Sequence, residues 1–201
     1  WIRFGAGYRG TGIWSENIGT GNINEGRYSN DNARIYLNGQ FGHYLKFEVN
    51  TECYFCNNTK SGDNPRMSYN ILDAIVKFEY NRYLNVWGGR MLAPTERGEL
   101  NGPFFHATHD GFKTPFFSQD FSTSYNNNNG AGMYGRDDGA TFWGSAEPKV
   151  VPGTFSYAMG IFRGLRSTSA FGPNPNDSVL MAARFTYNFL NPEKNPGYYT
   201  A

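Results

Sequence analysis

Polar and apolar residues alternate with a period of two along eight segments of this sequence. In the opening segment, Ile2, Phe4 and Tyr8 fall on one side of an extended chain, and Arg3 and Arg9 fall on the other. The same alternation returns in the segments that begin near residues 32, 44, 71, 83, 138, 154 and 178. Each segment has roughly ten residues, the length of a tilted strand that crosses a bilayer. The pattern predicts an all-β chain of about eight strands.

The connections between these segments alternate in length. Long connections are predicted near 15–29, 53–67, 93–135 and 165–177, and short ones at Gly42, at Asn81-Arg82 and near 147–153. Tight turns at one end and longer loops at the other are typical of an up-and-down barrel in an outer membrane. We therefore predict one domain over 1–201, an antiparallel up-and-down transmembrane β-barrel in a bacterial outer membrane, in contact with outer-membrane lipid.

Composition narrows the alternatives. No apolar run approaches the roughly 20 residues of a membrane helix, which excludes a helical membrane protein. A mean hydropathy of −0.60 is compatible with a barrel, because strands that alternate apolar and polar residues average to a low value. The formal charge of +1 without a basic run excludes nucleic acid as a partner.

A soluble sandwich or lipocalin-like barrel is the alternative fold. Its outward polar face would be rich in Lys and Glu, whereas the polar sides of these strands carry mainly Gly, Asn, Ser and Thr. That composition favours a hydrated lumen. Aromatic residues at the strand ends would then form the interfacial girdles of a membrane barrel, namely Trp14, Tyr44, Tyr80, Tyr83 and Phe189.

The charged residues on the polar sides of the strands are predicted to line a pore. They are Arg3, Arg9, Arg34, Lys46, Glu48, Asp73, Lys77, Glu79, Arg90 and Arg184. Arg90 breaks the parity of its strand and would face inward only if Gly88-Gly89 forms a bulge. Basic residues outnumber acidic ones in this set, which predicts a mild preference for anions. The alternative is that these charges pair across strands and hold the wall together.

The connection over 93–135 is far longer than a passive loop needs, so it is predicted to fold into the barrel as a constriction loop. Its charged residues and histidines would line the constriction, namely Glu96, Arg97, Glu99, His106, His109, Asp110 and Lys113. The alternative is a surface loop that packs on its own phenylalanines. Two histidines without a helix to position them are a weak metal motif, and we predict no metal and no cofactor.

Two cysteines, Cys53 and Cys56, lie close together in a predicted outer loop. Their even number and an oxidising compartment predict a local disulfide.

Several stretches resemble the phosphate-selective porin O and P family. They are NARIYLNGQFGHYLKFEVNTE, DAIVKFEYNRYLNVWGGRMLAPTERGEL, GRDDGATFWGSA and FSYAMGIFRG, in the order in which that family has similar strands. The resemblance implies a barrel of about sixteen strands, of which this chain would be the N-terminal half. The alternative is a closed eight-stranded barrel, whose narrow interior residues as small as Gly5, Gly7 and Asn38 would not fill. Phosphate specificity does not carry over, because no arginine ladder or lysine cluster occurs here.

These observations predict a porin, not an enzyme, through which small anions and other small hydrophilic solutes diffuse passively. A homotrimer is one option for its assembly. Two other functions stay open: a barrel that sheathes or anchors a partner protein, and an outer-membrane hydrolase. The hydrolase has the weaker case, because none of His43, His106 and His109 lies on a strand beside a serine of matching parity.

Overall fold

The computed structural model describes residues 1–18, 23–54, 68–94, 136–148, 151–163 and 179–192. These residues form one antiparallel sheet of eight strands in sequence order. The strands are β1 (Ile2–Ile18), β2 (Ile23–Phe41), β3 (Leu45–Tyr54), β4 (Ser68–Glu79), β5 (Asn85–Leu92), β6 (Arg136–Ala146), β7 (Thr154–Phe162) and β8 (Leu180–Asn188). The predicted all-β, up-and-down antiparallel architecture is confirmed. No helix in these ranges is long and apolar enough to span a membrane.

Short turns join β2 to β3, β4 to β5 and β6 to β7, and we call this end of the sheet the turn end. Gly42 has φ 61°, a left-handed conformation that glycine adopts at little cost. In the next turn, the Asn81 side-chain oxygen accepts hydrogen bonds from the backbone N–H groups of Tyr83 and Leu84, at 2.7 and 2.9 Å. The opposite end, where β1 is joined to β2, β3 to β4, β5 to β6 and β7 to β8, is the loop end.

The predicted long connection over 15–29 was wrong. β1 continues to Ile18 and β2 already begins at Ile23, so most of this region is a pair of strands. A register shift after Arg9 lets the two arms keep pairing up to the loop end. The prediction failed because Gly, Asn and Ser are common in loops, whereas here the two arms supply each other's backbone hydrogen bonds.

The two faces of the sheet differ in chemistry. The polar face contains Arg9, Arg34, Lys46, Lys77, Asn85, Thr141, Ser156, Arg184 and the residues that alternate with them. The apolar face contains Phe4, Ile35, Phe47, Val76, Val86, Phe142, Met159, Phe185 and the residues that alternate with these. Directly paired residues of neighbouring strands lie on the same face, so the strand registers carry each face across the whole sheet.

Burial is inverted relative to a water-soluble sheet. On the polar face, Glu48, Asn50 and Asp73 are at most 7% exposed, whereas Phe4 and Phe185 on the apolar face are 76% and 62% exposed. Soluble proteins bury their large apolar side chains and leave charged ones in water. In this sheet the charges of the central strands are buried, and the face of large apolar side chains is exposed.

Aromatic rings line the turn end of the apolar face. The ring centroids of Tyr44 and Tyr80 are 5.5 Å apart, and those of Tyr187 and Phe189 are 5.0 Å apart. We call this group the turn-end belt. Its members are Phe41, Tyr44, Phe78, Tyr80, Tyr187 and Phe189, each of which contacts another aromatic ring at an ordinary distance.

Candidate functional site: the polar face

The polar face of β3 and β4 is organised by two crossed ion pairs. Lys46 and Lys77 lie directly opposite each other across the two strands. Each lysine reaches diagonally to an acid on the other strand, so that Lys46 contacts Glu79 and Lys77 contacts Glu48. Two like charges placed opposite each other are destabilising, and the diagonal acids remove that repulsion.

Trp87 of β5 extends this arrangement by one strand. The Lys77 ammonium lies 4.1 Å from the centroid of the Trp87 ring, and the indole N–H donates to the second carboxylate oxygen of Glu79 at 3.2 Å. A cation above an indole ring is attracted by the electron-rich face. Both oxygens of Glu79 therefore have a donor.

A second, more deeply buried network lies nearer the loop end. Asp73 accepts hydrogen bonds from Arg136 Nε at 2.6 Å and from the Asn50 side-chain nitrogen at 2.9 Å. The same Asn50 nitrogen donates to Glu48 at 2.8 Å, which joins this network to the crossed ion pairs. Asp73, Asn50 and Arg136 are at most 3% exposed. Charges taken out of water in this way depend on their partners for their stability.

Arg34 and Glu52 form a third pair, between β2 and β3. The Arg34 Nε donates to a carboxylate oxygen of Glu52, and both side chains are at most 3% exposed. Three strands and the start of β6 are thus connected by charge-assisted hydrogen bonds across the polar face.

Nine of the ten predicted pore-lining residues lie on the polar face. They are Arg3, Arg9, Arg34, Lys46, Glu48, Asp73, Lys77, Glu79 and Arg184. The alternative that these charges pair across strands applies to Arg34, Lys46 and Lys77, each of which contacts an acid on a neighbouring strand. The excess of basic residues in the sequence is therefore largely balanced within the central strands.

Arg90 is the exception, and the predicted bulge is absent. The register of β5 runs unbroken against both neighbours, with Arg90 opposite Ala74 and Asp138 on the apolar face. Gly89 has φ 127°, and a Cβ there would collide with the Ala74 carbonyl oxygen. Because glycine has no Cβ, the two backbones can approach closely at this point without an extra residue in β5, and Arg90 stays on the apolar face. It lies 3.7 Å from Asp138, which also contacts Arg163 at 3.2 Å.

Four charged residues near this face were not predicted, namely Glu52, Arg136, Asp137 and Arg163. Glu52 continues the parity of Lys46 and Glu48, so the alternation of β3 could have revealed it. Arg136 meets Asp73 across 63 positions of sequence, a contact that depends on the order of the strands and that no local pattern predicts.

The polar face becomes neutral toward β7 and β8. Its residues on β7 are Thr154, Ser156, Ala158, Gly160 and Phe162, and on β8 Arg184 is the one charged residue beside Leu180, Ala182, Thr186 and Asn188. An apolar cluster is buried between β5 and this region, with Trp87, Met91 and Phe162 at most 5% exposed. The charged and neutral regions meet along β5 and β6.

A cleft of about 370 Å³ lies where they meet. It is lined on the polar face by Lys46, Glu79, Asn85, Trp143, Thr154 and Ser156, and at its rim by the turn residues Tyr80, Asn81 and Arg82. The Arg82 guanidinium contacts Glu147 of the neighbouring turn at 2.7 Å. This hydrogen bond raises the pKa of Arg82 and lowers the pKa of Glu147 from their ordinary values.

The remaining predicted residues are placed only in part. Glu96, Arg97, Glu99, His106, His109, Asp110 and Lys113 lie outside the described residues. Cys53 is disulfide-bonded and lies buried in β3 instead of in a loop, whereas Cys56 is outside the described residues. Within the described ranges, no group of three His, Cys, Asp or Glu side chains could hold a metal ion.

Comparison with known proteins adds no relative. No family model matches the chain, and no curated protein or solved structure matches it either.

Proposed function

We propose that this chain forms the wall of an outer-membrane β-barrel through which small hydrophilic solutes diffuse. The inverted burial of the sheet carries the proposal. Exposed apolar area larger than a few hundred Å² is rare on soluble proteins and marks contact with lipid or protein. A face of Phe, Ile, Val and Met backed by a face of paired charges suits a wall between lipid and a hydrated interior.

The spacing of aromatic residues along β4 fits the thickness of a bilayer. Tyr69 and Tyr80 are 51% and 59% exposed at opposite ends of this strand. About eleven residue steps separate them, which corresponds to about 36 Å of strand. At a tilt of about 40° the vertical distance is about 28 Å, close to the ~25 Å apolar band of such barrels. Between them, Ile71, Ala74, Val76 and Phe78 carry the apolar face without a charge.

We propose that the barrel closes with strands beyond those described. In the described part of the chain, β1 and β8 each pair with one neighbour. An unpaired strand edge has open backbone donors and acceptors that cannot remain unsatisfied in lipid. The resemblance to the phosphate-selective porin O and P family supports further strands of a roughly sixteen-stranded barrel, and a homotrimer is the assembly we propose for it.

The charges support weak ion selectivity with a lean toward anions. The central strands pair their charges, while the polar-face positions of β1 up to residue 15 and of β8 carry Arg3, Arg9 and Arg184 and no acid. Fixed charge at the wall biases which ions enter. The bias would therefore come from the flanking strands.

Conductance of the purified full-length protein in a planar bilayer under a salt gradient tests the proposal. We expect stable channel steps and a reversal potential that leans toward anions. Arg184→Gln should move the reversal potential toward cations, and the matched change Arg90→Gln on the apolar face should leave it unchanged. A protein that inserts without conducting would refute the open pore.

The buried apolar cluster favours a second candidate, a barrel that sheathes a partner protein. Trp87, Met91 and Phe162 are almost fully buried on a face where an open pore would have water. Side chains of this kind suit a face covered by polypeptide. Absence of conductance together with a partner that copurifies at constant stoichiometry would support this second candidate.

A further inference from the structure

The cleft at the turn end is large enough to hold a small molecule. Its volume of about 370 Å³ falls within the ~300–1,000 Å³ range of small-molecule sites. Its floor consists of side chains on strands β3 to β7, which hold their positions better than residues of a loop. It lies on the path that any solute on the polar face would follow to leave the sheet at the turn end.

The charges around the cleft are already matched. Lys46 contacts Glu79, and Arg82 contacts Glu147 at 2.7 Å. An incoming anion would find the lysine held by a carboxylate, and an incoming cation would find the carboxylate held by the lysine and by the Trp87 indole. Breaking such pairs without replacing them costs free energy, so a neutral ligand is favoured over either ion.

The neutral groups in the cleft are two hydroxyls and an indole ring. Thr154 and Ser156 line it with hydroxyls, each of which can donate and accept a hydrogen bond. The Asn85 amide nitrogen already donates to the Trp143 carbonyl oxygen, at 3.4 Å. The Trp143 N–H is buried, so a solute in the cleft would contact the ring of Trp143 and not its N–H.

We propose that this cleft binds a small neutral polyhydroxylated solute of the size of a monosaccharide. The inference rests on the proposed diffusion function, for which it names the solute class. The hydroxyls of the solute would exchange hydrogen bonds with Ser156 and Thr154. The Trp143 ring would provide apolar contact for the C–H groups of the solute.

The test is calorimetric titration of the full-length protein in detergent micelles with glucose, glycine and inorganic phosphate as separate probes. We expect glucose to bind more tightly than the zwitterion or the anion. Ser156→Ala removes one hydroxyl of the cleft, so it should weaken glucose binding by about threefold to tenfold, the effect of one hydrogen bond. Thr154→Val should weaken it in the same direction and guards against misfolding of the serine variant.

Thr186→Val is the matched control, because Thr186 pairs with Ser156 across β7 and β8 but does not line the cleft. It should leave glucose binding unchanged. Glycine or phosphate binding as tightly as glucose, or unchanged glucose binding in both cleft variants, would overturn the inference. Conductance of the same preparation separates the two proposals, since a conducting channel without glucose binding leaves the pore intact. Glucose binding that needs Ser156 in a channel that does not conduct would keep the site and refute the pore.

Discussion

The two faces of this sheet follow opposite rules. The apolar face leaves Phe4, Val76 and Met181 more than half exposed, and its ring pairs lie side by side along the surface. The polar face buries Glu52 and Asp73 almost completely and pairs them with arginines of other strands. Adjacent residues of one strand point to opposite faces, so the same substitution can be made on each face at neighbouring positions.

The difference teaches what each face must contact. Exposed apolar side chains gain stability only from an apolar surrounding, because in water their exposure is unfavourable by about 25 cal/mol per Å². Buried charges gain stability only from partners, because desolvation costs several kcal/mol per ion. Under the proposed function the sheet is a boundary between an apolar and an aqueous environment, and substitutions on the two faces test that boundary.

The largest effect is expected at Asp73 on the polar face. Asp73→Asn leaves Arg136 buried without its carboxylate, and breaking a buried pair in this way costs about 3–5 kcal/mol. Urea unfolding in lipid vesicles measures the loss. The double variant Asp73→Asn with Arg136→Met should recover part of it, since no uncompensated charge remains. Equal stability of the single variant and the parent would mean that this network does not hold the wall.

A lysine placed on each face compares the faces directly. Val76→Lys puts a charge near the middle of the apolar face and should cost about 2–4 kcal/mol in lipid. Asn38→Lys puts the same charge on the polar face, opposite Glu48, and should change the free energy of unfolding by less than about 1 kcal/mol. Urea unfolding in vesicles measures both. A smaller cost at Val76 than at Asn38 would reverse the assignment of the lipid-facing side.

Much of this boundary could be predicted from the sequence, because alternation with period two is a local property. The eight strands and the face of nine charged residues follow from it. The extent of β1 and β2 could not be predicted in this way, because their composition resembles that of a loop and only their mutual pairing makes them strands. The predicted face of Arg90 was also wrong, because Gly88-Gly89 permits either a bulge or a regular strand and the pairing with neighbouring strands decides between them.

The partners of the charges and the cleft could not be predicted from the sequence. Arg136 and Asp73 meet because β4, β5 and β6 are neighbours, and Trp143 meets Asn85 because their strands are in register. Each contact depends on strand order and register together, which are properties of the whole sheet.

Asp138 and Arg90 form an ion pair on the apolar side near the loop end, which can be compared with the buried pair of Asp73 and Arg136 on the polar face. Asp138 is 49% exposed there and lies 3.7 Å from Arg90 and 3.2 Å from Arg163. Asp138→Asn should cost no more than about 1 kcal/mol, because exposed pairs contribute little. Urea unfolding beside Asp73→Asn measures the contrast. A cost as large as that of Asp73→Asn would show that burial does not decide the worth of these pairs.

The smallest effect is expected at the turn end, where Arg82 and Glu147 join two turns in full contact with solvent. The hydrogen bond from Arg82 lowers the pKa of Glu147, so the stability it contributes is present above the ordinary carboxyl pKa. It is lost as the pH falls through the lowered value. Glu147→Gln should therefore lower the unfolding midpoint slightly at pH 7 and not at low pH, and added salt should reduce the difference. A difference that persisted at low pH would mean that the turns are joined by backbone contacts such as Ser145 N–H to Arg82 carbonyl, at 2.7 Å, and not by charge.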